Sequence, residues 1–142
     1  MYTVKFCKLS GMGYIPTKAH DSDAGYDLYS PIRQTIEAHK SAIIQTDIAW
    51  ETSSPRLYMQ VKSRSGLAFK HGIEASNAGV IDSAYRNSIG VKLYNNSNED
   101  YTVEIGDRIA QGIILELPEV QVEVVENVST SERNGGLGST GR

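Results

Sequence analysis

The chain has 142 residues, with 14 Lys or Arg against 17 Asp or Glu, so its formal net charge is -3. That length predicts one domain with a hydrophobic core large enough to fold without a structural metal or a disulfide. The single cysteine, Cys7, excludes an intramolecular disulfide and a cysteine-rich zinc site. Acidic and basic residues are interspersed, without the basic stripe of a general nucleic-acid binder. The charge of an anionic ligand would therefore have to be balanced by a few arginines placed at its binding site, and not by the net charge of the protein.

No secretion or membrane signal is visible in the sequence. Lys5 and Lys8 interrupt the first apolar stretch, which argues against a signal peptide. No run approaches the ~20 apolar residues of a membrane span. We therefore expect no membrane partner and take the cytoplasm as the default location, with the nucleus as the alternative.

Period-two alternation of apolar residues dominates the chain and predicts many short strands. In chain order the alternating rows are Leu57, Met59 and Val61; Ile89, Val91 and Leu93; Tyr101, Val103 and Ile105; Ile113, Leu115 and Leu117; and Val120, Val122 and Val124. Turn-forming residues separate these rows, and the best helical candidate is a turn or two around Gly66 to Lys70. The pattern favours an all-β sandwich or barrel of jelly-roll type. It divides the chain into a domain at 1–128 and a glycine-rich arm at 129–142.

Two stretches in the first half carry more functional residue types than strands and turns need. AGYDLYS, Ala24 to Ser30, places Asp27 inside a predicted strand, where an inward carboxylate needs a partner; an aspartate on an edge strand is the alternative. In KSRSGLAFKHGI, Arg64, Ser65 and Gly66 stand where a short helix begins. A guanidinium, a hydroxyl and free backbone N–H groups at that point form a seat for phosphate. A serine N-cap beside a solvated arginine is the alternative.

Two further stretches follow in the second half. Asp82 emerges from the apolar strand Gly79-Val80-Ile81, and a second strand follows the loop, so we predict a hairpin. Such a hairpin displays backbone groups that can contact the edge of a flat base, and burial can tune the basicity of Asp82; a hairpin whose aspartate satisfies its own turn is the alternative. GDRIAQGII, Gly106 to Ile114, is consistent with a turn and a structural Asp–Arg pair.

The chain ends on RNGGLGSTGR, Arg133 to Arg142. This segment is too polar and too rich in glycine to pack a core. It is consistent either with a flexible tail or with a flap that becomes ordered over a phosphate ligand.

Taken together, the five stretches resemble the five motifs of the trimeric deoxyuridine triphosphate nucleotidohydrolases (dUTPases). AGYDLYS resembles motif one, SRSGLA motif two, AGVIDSAYRNSIGV motif three, GDRIAQ motif four and RNGGLGSTG motif five. Each motif alone is weak, but five in register from Ala24 to Gly141 make coincidence very improbable.

The resemblance implies a jelly-roll homotrimer with three active sites at subunit interfaces. One subunit would give motifs one, two and four, a second the hairpin, and a third the C-terminal arm. The implied reaction converts dUTP and water to dUMP and pyrophosphate, which limits uracil entry into DNA and supplies dUMP for thymidylate synthesis. Magnesium would be held by the triphosphate and water, with no direct protein ligand.

The resemblance also implies roles for individual residues. Asp82 would be the general base that activates the attacking water, with Asp27 and Asp107 in support. The implied substrate-binding residues are Arg64, Ser65, Gly66, Asn77, Gly79, Val80, Ile81, Tyr85, Gly90, Gln111, Arg133, Leu137, Gly138 and Ser139.

Selectivity is part of what the resemblance implies. Hairpin backbone groups would pair with uracil and reject cytosine, because a buried mismatched hydrogen-bond pattern can cost a factor of ~10⁴. A tight hairpin leaves no space for a thymine methyl group. Tyr85 beneath the deoxyribose would clash with the 2′-hydroxyl of UTP.

The sequence departs from the family pattern at several positions. Leu137 stands where a phenylalanine usually stacks on uracil, and the arm is one residue shorter than usual between Arg133 and Gly136. The other departures are Ser63 for a common proline, Ala84 for an acidic residue, Asn87 for a glycine and Gly112 for a larger apolar residue.

Two other functions remain open at this level. One is a dCTP deaminase, or a bifunctional deaminase–dUTPase, of the same fold. The other is a catalytically weakened relative that acts as a binding or regulatory module, which the departures from the motifs would favour.

Leu137→Phe is expected to lower KM for dUTP, because an aromatic side chain adds a stacking face that leucine lacks. Stacking contributes about 0.5–1.5 kcal/mol beyond burial, so the decrease should be about two- to tenfold. The measurement is steady-state pyrophosphate release against dUTP concentration. An unchanged KM would refute the stacking interpretation.

Overall fold

The computed structural model describes residues 1–132 and Gly136. Arg133, Leu137, Gly138 and Ser139 of the predicted arm lie outside the described residues. Within the described part the chain forms eleven strands and one helix. They are β1 Val4–Lys8, β2 Tyr26–Tyr29, β3 Gln34–Ile36, β4 Ser41–Gln45, β5 Ile48–Thr52, β6 Leu57–Lys62, α1 Ser65–His71, β7 Ile73–Ala75, β8 Val80–Ile81, β9 Gly90–Asn95, β10 Tyr101–Val103 and β11 Arg108–Glu116.

The strands form small antiparallel sheets around one core. A four-stranded sheet has the order β2-β11-β6-β8, a three-stranded sheet has the order β4-β9-β7, and β1 pairs with β5 and β10 with β3. Each sheet contributes buried side chains to a single cluster, for example Leu28, Ile44, Trp50 and Val103. The all-β, jelly-roll prediction is therefore confirmed.

The predicted alternation is correct for the central strands and wrong near the C-terminus. Alternate residues of β6 and β9 are buried, as predicted from the rows that begin at Leu57 and Ile89. In β11 the register shifts between Arg108 and Ala110. Such a bulge reverses which face the following residues occupy. Ile109 and Ala110 are both buried, whereas Leu115 is exposed.

The row Val120, Val122 and Val124 is not a strand in this structure. β11 ends at Glu116, and these three valines are 73%, 83% and 97% exposed. A strand needs a partner for its backbone groups, and no segment within the described residues pairs with this one. The proposed boundary between the domain and the arm at residue 128 stays a prediction.

Helix α1 confirms the predicted helical turn around Gly66 to Lys70. The N-cap residue is Arg64, which makes no side-chain capping bond, so the serine N-cap alternative is wrong. Gly72 ends the helix in the left-handed conformation at φ 68°, which glycine adopts without strain. Among the described residues no helix has the length and apolar character needed to cross a membrane.

The predicted hairpin around Asp82 is built differently from expectation. β8 pairs with β6, and β9 pairs with β7 and β4, so the two strands that flank Asp82 do not pair with each other. β7 and β9 pair with each other instead. The segment between them contains β8, which joins the neighbouring sheet through β6.

Candidate active site

The register of the four-stranded sheet brings two of the sequence motifs together. In β11, Gln111 lies opposite Asp27 of β2 on one side and Lys62 of β6 on the other. Directly paired residues project to the same face of an antiparallel sheet. The neighbouring pair, Leu28 and Ala110, projects to the opposite face and is fully buried. The polar side chains of motifs one and four therefore share the outer face.

Arg64 brings the second motif to the same place. β6 ends at Lys62, and Arg64 then precedes α1 with an extended backbone. Its Nε lies 3.6 Å from Asp27 Oδ1, and Arg108 Nη1 lies 3.8 Å from Asp27 Oδ2. Both distances exceed the ~2.7–2.9 Å of a charge-assisted hydrogen bond. Asp27 therefore holds the two guanidinium groups by charge without saturating their N–H donors.

These residues line a cleft of about 310 Å³ that we call the arginine cleft. Its lining residues are Ala19, Asp23, Ala24, Gly25, Asp27, Arg64, Ser65, Gly66, Arg108 and Gln111. Two guanidinium groups face two carboxylates in this lining, so its formal charge is zero. The cleft offers directed N–H and O–H donors, not a positive field.

Gln111 is fixed at the base of the cleft by backbone contacts. Its Nε2 donates to the Ser63 carbonyl at 3.0 Å. A Cβ on Gly25 would lie 2.7 Å from Gln111 Oε1 and 3.0 Å from Gln111 Cβ, so a larger residue there would displace the glutamine side chain. The hydroxyl of Ser63 accepts from the Ala75 N–H at 2.8 Å. Ser63 thus ties the end of β6 to β7.

A second recess, the glycine recess, lies between the segment 75–79 that precedes β8 and nearby residues of β4, β6 and β9. It has a volume of about 210 Å³ and is lined by Ile43, Val61, Ala75, Ser76, Ala78, Gly79, Gly90 and Lys92. The backbone at Gly79 lies against β6, where the Gly79 carbonyl accepts from the Val61 N–H at 2.7 Å. Glycine permits this approach because a Cβ at this position would lie 2.6 Å from Val61 Cβ. No residue lines both the glycine recess and the arginine cleft.

Asp82 lies at the start of the loop 82–89 and is exposed in the single chain. The single chain therefore does not bury Asp82. Its backbone carbonyl accepts from Trp50 Nε1 at 3.1 Å and from the Tyr85 N–H at 3.1 Å. Within the described residues its carboxylate has no hydrogen bond or ion pair, so the alternative in which Asp82 satisfies its own turn through its side chain is wrong.

The other residues of this loop are held by a local network. Tyr85 donates its hydroxyl to the Ser88 carbonyl at 3.0 Å and is 38% exposed. Arg86 donates to the carbonyls of Ser83 at 2.6 Å and Trp50 at 3.3 Å. The arginine thus folds back over the loop and joins it to β5.

Asp107 supports a turn and lies outside the arginine cleft. Its carboxylate accepts from the Glu104 N–H at 2.8 Å, so the predicted pair with Arg108 is wrong. Asp107 lines a neighbouring recess of about 330 Å³ that shares Arg64 and Arg108 with the cleft. Burial raises the pKa of Tyr101 there; the Asp107 carboxylate adds to the rise and Arg64 opposes it.

The predicted site residues therefore fall into three places. Arg64, Ser65, Gly66, Gln111 and Asp27 line the arginine cleft, and Gly79 and Gly90 line the glycine recess. Asn77, Val80, Ile81, Asp82 and Tyr85 line neither recess. The predictions for Arg133, Leu137, Gly138 and Ser139 concern residues outside the described part.

Sequence reasoning missed several lining residues. The sequence predicts Asp107 as the partner of Arg108, whereas in the structure Arg108 lies directly before the bulge and reaches Asp27. Asp23 and Ala19 precede motif one and carry no pattern of their own. Lys92, in the glycine recess, lies between Val91 and Leu93 of an alternating row and carries no further signal of its own.

The residues of the cleft fit a divalent cation that arrives with an anionic ligand. Asp27 faces two arginines, and the Asp23 carboxylate accepts from the His20 N–H at 2.9 Å. Among residues 1–132 and Gly136 no group of three or more His, Cys, Asp or Glu is placed to hold a metal. Because the lining is formally neutral, a polyphosphate needs a further positive charge to offset its own.

Comparison with known proteins identifies one family. The family model described as dUTPase matches residues 12–141. The deoxyuridine 5′-triphosphate nucleotidohydrolase of Clostridium acetobutylicum is 42% identical over 143 residues, covering 99% of this chain and 98% of the relative.

Solved structures agree with this fold. The dUTPase of Staphylococcus bacteriophage 80alpha, in complex with dUpNHpp, has a TM-score of 0.88 at 27% identity and covers 99% of each chain. A mutant dUTPase of phage phi11 of S. aureus, described with a structural Mg(II) ion, has a TM-score of 0.82 over 90% of this chain and 99% of its own. At 24% identity that second likeness shows the fold alone.

Gly79→Ala is expected to destabilise the protein by about 1–3 kcal/mol, the usual cost of forcing atoms into a packed site. The added Cβ would lie 2.6 Å from Val61 Cβ and 3.0 Å from the Val61 carbonyl. Thermal and urea unfolding measure the loss. Gly66→Ala is the matched control, because a Cβ there meets nothing within 4 Å. Equal unfolding midpoints for the two variants would contradict this account of the recess.

Proposed function

Because the chain belongs to the dUTPase family, we propose that it hydrolyses dUTP to dUMP and pyrophosphate. The observation that carries the proposal is the arginine cleft, in which three separated sequence motifs meet around Asp27. Such an enzyme limits the entry of uracil into DNA and supplies dUMP for thymidylate synthesis.

The triphosphate occupies the arginine cleft in this proposal. Arg64 supplies N–H donors that Asp27 leaves free, and the hydroxyl of Ser65 is exposed at the start of α1. Gln111 is held by its contact with Ser63 and presents its remaining amide groups to the cleft. Positioning and neutralisation of phosphate charge then supply most of the rate.

Uracil occupies the glycine recess of a neighbouring subunit. Close packing of Gly79 on Val61 leaves backbone groups next to the recess and restricts its volume. Backbone pairing excludes cytosine, and the restricted volume excludes a thymine methyl group. Asn77, Val80, Ile81 and Gly90 complete the base-binding segment, and Tyr85 beneath the sugar rejects a 2′-hydroxyl.

Asp82 acts as the general base that orients and deprotonates the attacking water. Its carboxylate is exposed and has no partner within the described residues, so it is free to accept a hydrogen bond from water. The proton moves from that water to a carboxylate oxygen as the water oxygen attacks the α-phosphorus, and pyrophosphate leaves. Asp27 and Asp107 support the site through Arg64, Arg108 and the turn at Glu104.

We also propose a homotrimer with shared active sites. The cleft and the recess have no lining residue in common, and Asp82 lines neither. The exposed valines 120, 122 and 124 alternate as a strand does but lack a partner within the described chain. A second subunit can supply that partner. In this arrangement Arg133, Leu137, Gly138 and Ser139 of a third subunit close over the substrate.

Magnesium fits this site as an ion carried by the triphosphate and water. Asp27 is committed to two arginines, so the chain does not need to supply a direct ligand. When bound, the ion neutralises phosphate charge and fixes the geometry of the triphosphate.

Asp82→Asn is expected to lower kcat by at least about 10²-fold, because the amide cannot accept the water proton. Binding of dUpNHpp should change little, since the arginine cleft and glycine recess do not include Asp82. The assay is pyrophosphate release with magnesium from dUTP, dTTP, dCTP and UTP. Wild-type protein should act on dUTP alone.

The same panel separates the two other functions. Release of ammonia from dCTP would favour a deaminase. Wild-type activity on dUTP no higher than that of Asp82→Asn would favour a binding or regulatory module. Calorimetric titration with dUpNHpp then shows whether binding survives without turnover.

Mixed trimers test whether the site is shared between subunits. Asp82→Asn and Arg64→Ala should each be nearly inactive. After the two are unfolded and refolded together in equal amounts, about one site in four should combine an intact Asp82 with an intact Arg64 from a neighbour. Recovery of pyrophosphate release measures this fraction.

The matched control mixes Arg64→Ala with Gln111→Ala. Both side chains line the same cleft of one chain, so no combination of subunits restores a complete cleft. If the first mixture recovers no more activity than the control, Asp82 and Arg64 do not come from different subunits.

A further inference from the structure

Trp50 is the single tryptophan of the chain and lies directly behind the loop 82–89. It belongs to β5, is 2% exposed and is the largest fully buried side chain of the core. Its indole Nε1 donates to the backbone carbonyl of Asp82 at 3.1 Å. A buried core side chain thus makes a directed polar contact with the residue proposed as general base.

The loop follows β5 along its length. The Ile89 N–H donates to the Ile48 carbonyl at 2.9 Å, and Arg86 donates to the Trp50 carbonyl at 3.3 Å. These contacts fix the far end and the middle of the loop. Strand β5 therefore serves as the fixed support for the whole segment.

Asp82 itself has few attachments. Apart from the local bond from the Tyr85 N–H, the indole supplies the hydrogen bond that its backbone receives within the described residues. The other residues from 84 to 87 are exposed. Asp82 directly follows β8, and its carbonyl receives one hydrogen bond from within the loop and one from a side chain that core packing holds in place.

We propose that Trp50 is a positioning residue for Asp82, a role that rests on the proposed function. The indole N–H fixes the Asp82 peptide plane and hence the position of the carboxylate relative to the attacked phosphorus. A misplacement of about 1 Å can reduce a rate by ~10²-fold. Trp50 does not line the arginine cleft or the glycine recess, so its loss affects turnover and not substrate binding.

Trp50→Phe removes the N–H and keeps an aromatic ring in the core. We expect kcat for dUTP to fall about tenfold or more, while KM and the Kd of dUpNHpp stay within about twofold of wild type. Replacing Trp50 with 3-benzothienylalanine keeps the bicyclic ring and substitutes sulfur for the N–H. This second variant should show the same loss of kcat with less loss of thermal stability.

Ile36→Val is the control for a core change distant from the loop. Ile36 is 1% exposed and belongs to the same core cluster. This variant should lose thermal stability without a change in kcat. If it loses kcat in step with Trp50→Phe, the effect of Trp50 is general destabilisation and the proposal is overturned.

A double-variant cycle identifies the partner of Trp50. In the Asp82→Asn background, Trp50→Phe should have no further effect on the residual rate, because the carboxylate it positions is absent. An equal fold-loss in both backgrounds would overturn the proposal. So would wild-type kcat in both Trp50 variants.

The indole resonance gives a reading that does not depend on turnover. With one tryptophan, the ¹⁵N-labelled trimer should give one indole N–H signal, slow to exchange with deuterium and retained in Asp82→Asn. A fast-exchanging indole would overturn the contact itself. Failure of the proposed function is recognised separately, by a wild-type rate on dUTP no higher than that of Asp82→Asn.

Discussion

The site depends on the register of β11 between β2 and β6. Because side chains alternate across a strand, this one pairing buries Leu28 and Ala110 while it places Asp27 and Gln111 on the outer face. A slip of one residue would send the carboxylate into the core and the leucine into solvent. The same strand register therefore packs the core and assembles the cleft. Because any other register would expose the core, the stability of the core also maintains the geometry of the site.

The bulge in β11 brings Arg108, the second arginine beside Asp27, into the cleft. It lies immediately after Arg108, at the point where the strand leaves the Asp107 turn, and the guanidinium reaches the carboxylate that also faces Arg64. The result is a cleft rich in donors but formally neutral. This agrees with a chain whose net charge is -3 and whose ligand charge must be met locally. In the proposed function, the cation bound to the triphosphate would offset phosphate charge that this neutral lining does not offset.

Two of the departures from the family motifs have structural compensations. A Cβ on Gly112 would lie 2.6 Å from the sulfur of the fully buried Met59, so Met59 fills the space that a larger residue at 112 would take. Ser63 uses its hydroxyl to bind β7 next to the glycine recess. Nothing in the structure explains Ala84 or Asn87, both of which are exposed.

The sequence by itself determined most of the strands and the helical turn within Ser65–His71, because alternation and turn residues are properties of neighbouring residues. That Arg64, Ser65, Gly66 and Gln111 belong to one site followed from the resemblance of the motifs to a known family and not from local patterns. Tertiary structure alone decided the pairing of β8 with β6, the partner of Arg108 and the contact of Trp50 with Asp82. Each of these joins segments distant in sequence, and many partners satisfy the same local pattern. Only the packing of the complete core selects among them.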